Sequence, residues 1–196
     1  MKVELIKYPS EADWLWVKTC TLNTVGKKLK SNATQVDYEW KVKLLEAEHS
    51  PIRELWFGIY MEIPYWVAMH FRTHQLSDAP YPKDAPYPKF QLDIRPDFKN
   101  DYISTQRDDR NKNNIPRGKK PQDEIVSYIM SINAPALVNM AHKRLCKQAS
   151  PETRQITKMI VDEVVKVCPE MKSVLVPLCV YRNGKCTEMF PCKEVK

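Results

Sequence analysis

Three stretches of the chain have the residue pattern of β-strands. Residues 2–8 and 126–132 alternate apolar with polar side chains, which is the period of a strand buried on one face. Residues 54–63 form a nearly continuous run of β-prone residues, which predicts a strand packed on both faces. These three segments therefore predict a sheet.

Capping residues and helical periodicity predict the helices that surround these strands. Thr34, with Asp37 three residues later, has the spacing of a capping box. Asn133 precedes a helical apolar stripe and is well suited as an N-cap. We expect helices to begin after Ser10, Thr34, Pro64, Asn133 and Ser150.

A proline-rich repeat interrupts the series of predicted strands and helices. Residues 78–89 read Asp-Ala-Pro-Tyr-Pro-Lys twice, and the four prolines exclude a ladder strand or a helix interior. The length of 196 residues suits one domain. We therefore predict a single domain over 1–196 with a proline-rich excursion at 76–100, which is either a surface loop or a lid or subunit contact.

The glycine content excludes two kinds of nucleotide site. The chain has only four glycines, all isolated, whereas the Rossmann turn and the P-loop need clustered glycines. A bound nucleotide would therefore be held by side chains and helix N-termini.

The charge and the cysteines limit which ligands and partners the protein can have. The net charge is +7, but no basic run exceeds two residues, which favours arginines in a pocket over a nucleic-acid-binding tail. No apolar run is long enough for a membrane span.

Four of the six cysteines lie after residue 167 with spacings that fit no usual zinc knuckle, so we expect reduced thiols in a cytoplasmic protein and no metal site. The zinc alternative would use Cys168, Cys179, Cys186 and Cys192.

Candidate ligand-binding residues cluster on the predicted helix at 65–74. His70 and His74 lie one turn apart, with Arg72 and Gln75 beside them. The intervening residues lack the glutamate of the H-E-x-x-H metalloprotease motif, and a neighbouring cation would repel a metal ion. We interpret these side chains as ligand contacts rather than as metal ligands.

A second cluster lies at residues 104–110. It contains two hydroxyls, an amide and two guanidiniums, which suit a phosphate or the polar edge of a uracil ring. A solvated loop is the alternative.

Three motifs occur in a fixed order along the chain. They are Arg-Thr-His-Gln at 72–75, Ser-Thr-Gln-Arg at 104–107, and Asn-Ala-x-x-Leu-x-Asn from residue 133 with Arg144 downstream. The set resembles the signature of the flavin-dependent thymidylate synthases, R-H-R, S-x-R and N-A-x-x-L-x-N-x-x-x-x-R. It is most similar to a short variant form of that family, with Ser-Thr-Gln-Arg in place of the usual S-x-R segment, and the resemblance covers about residues 35–190.

This resemblance implies a fold and a reaction. The fold would be α+β, with a central, mostly antiparallel sheet flanked by helices. The enzyme would reductively methylate dUMP to dTMP, with FAD as cofactor and NADPH and methylenetetrahydrofolate as co-substrates. The family also implies a homotetramer with active sites at subunit interfaces, and it uses no cysteine nucleophile.

The resemblance also implies roles for individual residues. Arg144 matches the arginine that contacts the nucleotide base, and we predict it to be catalytic. His70 stands where the family often has glutamine near the nucleotide. The implied dUMP contacts are His70, Ser104, Thr105, Gln106, Arg107 and Arg144. The implied FAD contacts are His49, Arg72, His74, Gln75, Asn133 and Asn139.

The first motif departs from the family pattern. Thr73 and Gln75 occupy the positions of its two arginines, and Arg72 is displaced by one residue, which is about 100° around a helix. Two alternatives therefore stay open. One is a relative that acts on another pyrimidine nucleotide, and the other is a nucleotide- or nucleic-acid-binding module without flavin chemistry.

Overall fold

Four strands form an antiparallel sheet in the computed structural model, which describes residues 1–72, 98–104, 115–186 and 188–192. Their order across the sheet is β1-β2-β4-β3, and every neighbouring pair is antiparallel. The strands are β1 (Lys2–Lys7), β2 (Trp56–Pro64), β3 (Lys99–Ile103) and β4 (Ile125–Asn133).

Helices follow each of the first, second and fourth strands. Within the described ranges no helix is long and apolar enough to cross a membrane. The predicted α+β class with an antiparallel sheet is confirmed for this part of the chain. The α-helices are α1 (Glu11–Asn23), α2 (Tyr38–Glu46), α3 (Tyr65–Arg72), α4 (Ala134–Arg144), α5 (Pro151–Val167) and α6 (Leu178–Tyr181), and 3₁₀ turns span Ser50–Glu54, Arg117–Lys119 and Pro169–Ser173.

Side-chain caps set most of the predicted helix starts. Ser10, Asn133 and Ser150 each accept a hydrogen bond from a backbone N–H in the first turn of α1, α4 and α5. The prediction of a cap at Thr34 was wrong. Asp37 caps α2 instead, because its carboxylate accepts from the backbone N–H of Trp40 at 2.9 Å and carries the negative charge that a helix N-terminus favours.

One face of the sheet is buried and the other is partly open. Phe57, Ile59 and Met61 of β2 have at most 1% of their surface exposed. On the opposite face Tyr60 is half-buried, and Ile129 of β4 beside it is exposed. The strand at residues 54–63 is therefore fully packed on one face only, and not on both as its sequence predicted.

Strand β3 was not predicted. Lys99 and Asn100, the last residues of the predicted excursion, are instead its first two residues. Pairing with β4 places Lys99 and Asp101 opposite Ile132 and Met130, on the buried face of the sheet. The repeat at 78–89 lies outside the described residues.

Gly58 permits the close approach of β1 to β2. A Cβ atom at this position would lie 2.9 Å from the Cβ of Lys7, next to the irregularity in pairing between Leu5 and Lys7. This glycine therefore serves strand packing and not phosphate binding.

A buried histidine joins α4 to the C-terminal part of the chain. Only 4% of the surface of His142 is exposed, and its Nε2–H donates to the carbonyl of Val174 at 3.1 Å. Its ring packs against that of Tyr181, with 4.6 Å between the ring centroids. Burial lowers the pKa of His142 from 6.5 to about 4, so the folded protein holds this side chain neutral.

We expect this histidine to make the protein less stable in acid. Between pH 6.5 and 4 the unfolded chain binds a proton at His142 that the folded chain does not, so stability falls as the pH falls through this window. The expected loss from pH 7.5 to pH 5 is about 2 kcal/mol of unfolding free energy. Urea unfolding at both pH values should show a weaker pH dependence for His142→Gln than for the wild type. Equal slopes for the two proteins would contradict the assignment.

Candidate functional site

The C-terminal end of α3 brings together two of the predicted dUMP contacts. Arg144, at the end of α4, donates from Nη2 to the backbone carbonyl of His70 at 3.2 Å, across 74 residues of sequence. The imidazole Nδ1 of His70 lies 3.5 Å from the hydroxyl of Thr153, and its ring lies edge-on to Trp66. The fold thus places the guanidinium of Arg144 against the backbone of His70, while their roles toward dUMP stay predictions.

A buried lysine from β3 reaches the same helix end. Lys99 Nζ donates to the carbonyl of Phe71 and lies 3.2 Å from the carboxylate of Asp101. The side chains of this ion pair are only 7% and 9% exposed. Lys99 and Arg144 therefore both satisfy carbonyls in the last turn of α3, where a helix carries partial negative charge.

Three cations surround this point, and we call Arg72, Lys99 and Arg144 the basic cluster. Burial lowers the pKa of Lys99, Asp101 opposes that change, and the charges of Arg144 and Arg72 lower the pKa further. Burial also lowers the pKa of Arg144. The mutual repulsion of these cations would be relieved by a bound anion.

The carboxylate of Asp101 links the cluster to the sheet. It accepts a hydrogen bond from the hydroxyl of Tyr128 on β4 in addition to its contact with Lys99. Burial and this hydrogen bond raise the pKa of Tyr128, while Arg72 lowers it. Sequence reasoning missed Lys99, Asp101 and Tyr128. The i, i+2 spacing of Lys99 and Asp101, which places both side chains on one face of a strand, is the signal that could have found these two residues.

Two buried polar atoms have no hydrogen-bond partner among the described residues. They are Nδ1 of His49 and Nε of Arg144, and both belong to predicted site residues. Buried polar atoms are normally paired, so an unpaired one needs an explanation such as a ligand. His49 directly precedes the 3₁₀ turn Ser50–Glu54, and Pro51 is the second residue of that turn.

Two other predicted contacts already have structural roles. Asn133 is 2% exposed, and its side-chain oxygen accepts from the backbone N–H of Ala136 at 3.2 Å. Its side-chain NH₂ group would therefore make any contact with a ligand. The hydroxyl of Ser104 accepts from the backbone N–H of Ser127 at 3.1 Å and extends the pairing of β3 with β4.

The remaining predicted residues divide into two groups. Arg72 is exposed at the end of α3, and Asn139 is half-buried on α4. His74, Gln75, Thr105, Gln106 and Arg107 lie outside the described residues, and their roles stay predictions.

Part of the chain matches a known protein family. Residues 117–170 match the family model described as thymidylate synthase complementing protein. The match covers a little over a quarter of the chain and includes β4, α4 and α5, with the predicted site residues Asn133, Asn139 and Arg144. No curated protein matches the chain. The family match supports a thymidylate-synthase-type enzyme of nucleotide biosynthesis.

Proposed function

We propose that this chain is a flavin-dependent thymidylate synthase that converts dUMP to dTMP with FAD, NADPH and methylenetetrahydrofolate. One observation carries the proposal. Arg144 lies within the segment that matches the family, is anchored beside His70, and has a buried Nε–H with no partner among the residues that the structure describes. An oriented guanidinium in a basic cluster can donate to a carbonyl oxygen of a pyrimidine base.

The chemical role of Arg144 follows from its surroundings. Methylation at C5 of uracil places negative charge on the pyrimidine ring, and a cation that is already oriented stabilises this charge without reorganisation. Anchoring by the carbonyl of His70 removes rotamer freedom, and partial burial strengthens the interaction with a charged ligand. We assign the phosphate of dUMP to the predicted contacts at residues 104–107.

The described residues also suit a flavin. When bound, FAD would supply the redox chemistry and relay the one-carbon unit from the folate. The unpaired Nδ1 of His49 and the amide of Asn139 are groups that can hydrogen-bond the polar edge of the flavin ring. Arg72, exposed at the end of α3, would contact the cofactor phosphates. We further propose a homotetramer with active sites shared between subunits.

The first experiment is to purify the protein and record its absorbance spectrum. We expect a yellow protein with flavin bands, or a colourless one that becomes yellow and retains FAD after addition and gel filtration. With all substrates present, NADPH oxidation should be coupled to dTMP formation. A colourless protein that fails to bind added FAD would overturn the proposal.

A nucleotide-binding module without flavin chemistry is the second candidate. It is favoured by Thr73 and Gln75 at the family's arginine positions, and it would use the same basic cluster. This candidate expects calorimetric binding of dUMP with no NADPH oxidation. Strongly salt-dependent binding of single-stranded DNA would extend it to nucleic acid.

A further inference from the structure

Four of the six cysteines line one cavity away from the basic cluster. The cavity has a volume of about 240 Å³ and lies between the end of α4, helix α6 and the C-terminal tail. At about 30 Å³ per molecule, this is space for roughly eight waters. The four cysteines in its wall are Cys146, Cys179, Cys186 and Cys192.

This group differs from the set that the sequence suggested for zinc. Cys168 is not in the cavity wall; it is 2% exposed at the end of α5, and burial raises the pKa of its thiol to about 12. Cys146 of the preceding helix region takes its place. Within the described ranges, no three His, Cys, Asp or Glu side chains are grouped to hold a metal ion.

The four cysteines of the cavity form no disulfide and are partly exposed. All four cysteines are free and only half-buried, in contrast to Cys168. Two of them belong to the helical part of the structure, since Cys179 lies on α6 and Cys146 follows the last residue of α4 by two positions. The other two, Cys186 and Cys192, belong to the tail that covers the cavity.

Polar contacts hold the tail on the end of α4. Gln148 donates to the carbonyl of Phe190 at 2.6 Å, and Lys143 lies 3.7 Å from Glu188. Between and beside these contacts the tail buries little apolar surface, because 86% of Met189 and 75% of Phe190 are exposed. A segment held by so few contacts can shift relative to the rest of the fold, and such a shift would let a tail thiol approach a thiol of the cavity wall.

We propose that this cavity is a thiol–disulfide exchange site for small anionic disulfides. The thiolate of Cys146 or Cys179 attacks one sulfur of the disulfide, forms a mixed disulfide and releases one thiolate. The thiolate of Cys186 or Cys192 then attacks the protein sulfur of the mixed disulfide and releases the second thiolate. The protein loses two thiol protons and two electrons, the small disulfide gains both electrons, and the tail becomes covalently attached to the helical part.

The charge of the cavity rim selects the disulfide. Lys147 and Glu188 both line the cavity, and Lys143 lies 3.7 Å from Glu188, so these three charges sum to +1 and favour a carboxylate-bearing disulfide over a neutral one. Oxidised glutathione has this chemistry and is the probe we choose. The inference does not depend on the proposed flavin chemistry, since the disulfides that it predicts are detected on the protein itself.

The test is to incubate the full chain with oxidised glutathione and follow the intact mass and the linked peptides. Cys20, which is half-buried on α1 and outside the cavity wall, is the internal control. We expect mixed disulfides at Cys146 and Cys179 to disappear at least about tenfold faster than the one at Cys20, because a neighbouring thiol has a high effective concentration. The product should be a bond from Cys146 or Cys179 to a tail cysteine.

Removing the tail thiols should stop the second step. In the Cys186→Ser/Cys192→Ser variant, glutathione should remain attached at Cys146 and Cys179, whereas Cys20→Ser should behave as the wild type. A neutral disulfide, 2-hydroxyethyl disulfide, should react more slowly than glutathione. Persistent adducts in the wild type, a bond between Cys146 and Cys179, or thiols that react only after a chelator removes a bound metal would each overturn the proposal.

Discussion

The variant Arg144→Ala is expected to lower the rate of dTMP formation by about 100-fold or more, the usual effect of removing an oriented charge-stabilising donor. The guanidinium is anchored by the carbonyl of His70, and its Nε–H, which has no partner in the described part of the chain, would be free to bind the nucleotide. Alanine removes the charge and the donor together. Steady-state kinetics with saturating dUMP measure the loss of catalytic rate. Calorimetric titration of dUMP measures the loss of binding.

Structural damage must be distinguished from lost chemistry in this variant. Arg144→Ala also removes a hydrogen bond to α3, which should cost about 1 kcal/mol of unfolding free energy. Lys143→Ala is the matched control, because the adjacent residue on α4 pairs with Glu188 of the tail instead. It should retain full activity. If Arg144→Ala keeps activity within about threefold of the wild type, the role assigned to Arg144 is wrong.

The variant Lys99→Met should destabilise the fold more than any other single change considered for the cluster. Asp101 would be left buried without its cation, and breaking a buried ion pair from one side costs about 3–5 kcal/mol. The carbonyl of Phe71 would also lose its donor. Urea unfolding monitored by circular dichroism gives the change directly.

Two further variants make this prediction specific. Lys99→Met combined with Asp101→Asn should recover part of the lost stability, because the uncompensated charge is removed. Lys2→Met is the matched control: Lys2 pairs with Glu4 at the same i, i+2 spacing on a strand, but the two side chains are 56% and 53% exposed. That variant should unfold at the wild-type urea concentration. Equal effects of Lys2→Met and Lys99→Met would contradict the role of burial.

Local patterns predicted much of the fold because local forces determine it. The caps at Ser10, Asn133 and Ser150 act within one helical turn and are visible in the sequence. Strand β3 was missed because its polar side chains are buried only through partners on β4 and α3, distant in sequence.

The candidate site, too, was only partly predictable from the sequence. The resemblance grouped His70 with Arg144, and the structure places them in contact. It did not supply Lys99, whose position depends on the pairing of β3 with β4. The unpaired atoms of His49 and Arg144 are a property of three-dimensional burial, so no sequence pattern reveals them. Likewise, Cys146 joins the C-terminal cysteines only through packing.

The anchor of Arg144 has a consequence for how this site can evolve. The arginine is held by the main-chain oxygen of residue 70, which every amino acid possesses. The side chain at position 70 can therefore be exchanged, as between the glutamine frequent in the flavin-dependent synthases and the histidine here, while the anchor is retained. The side chain at position 70 can thus change without loss of the contact that positions the Arg144 guanidinium.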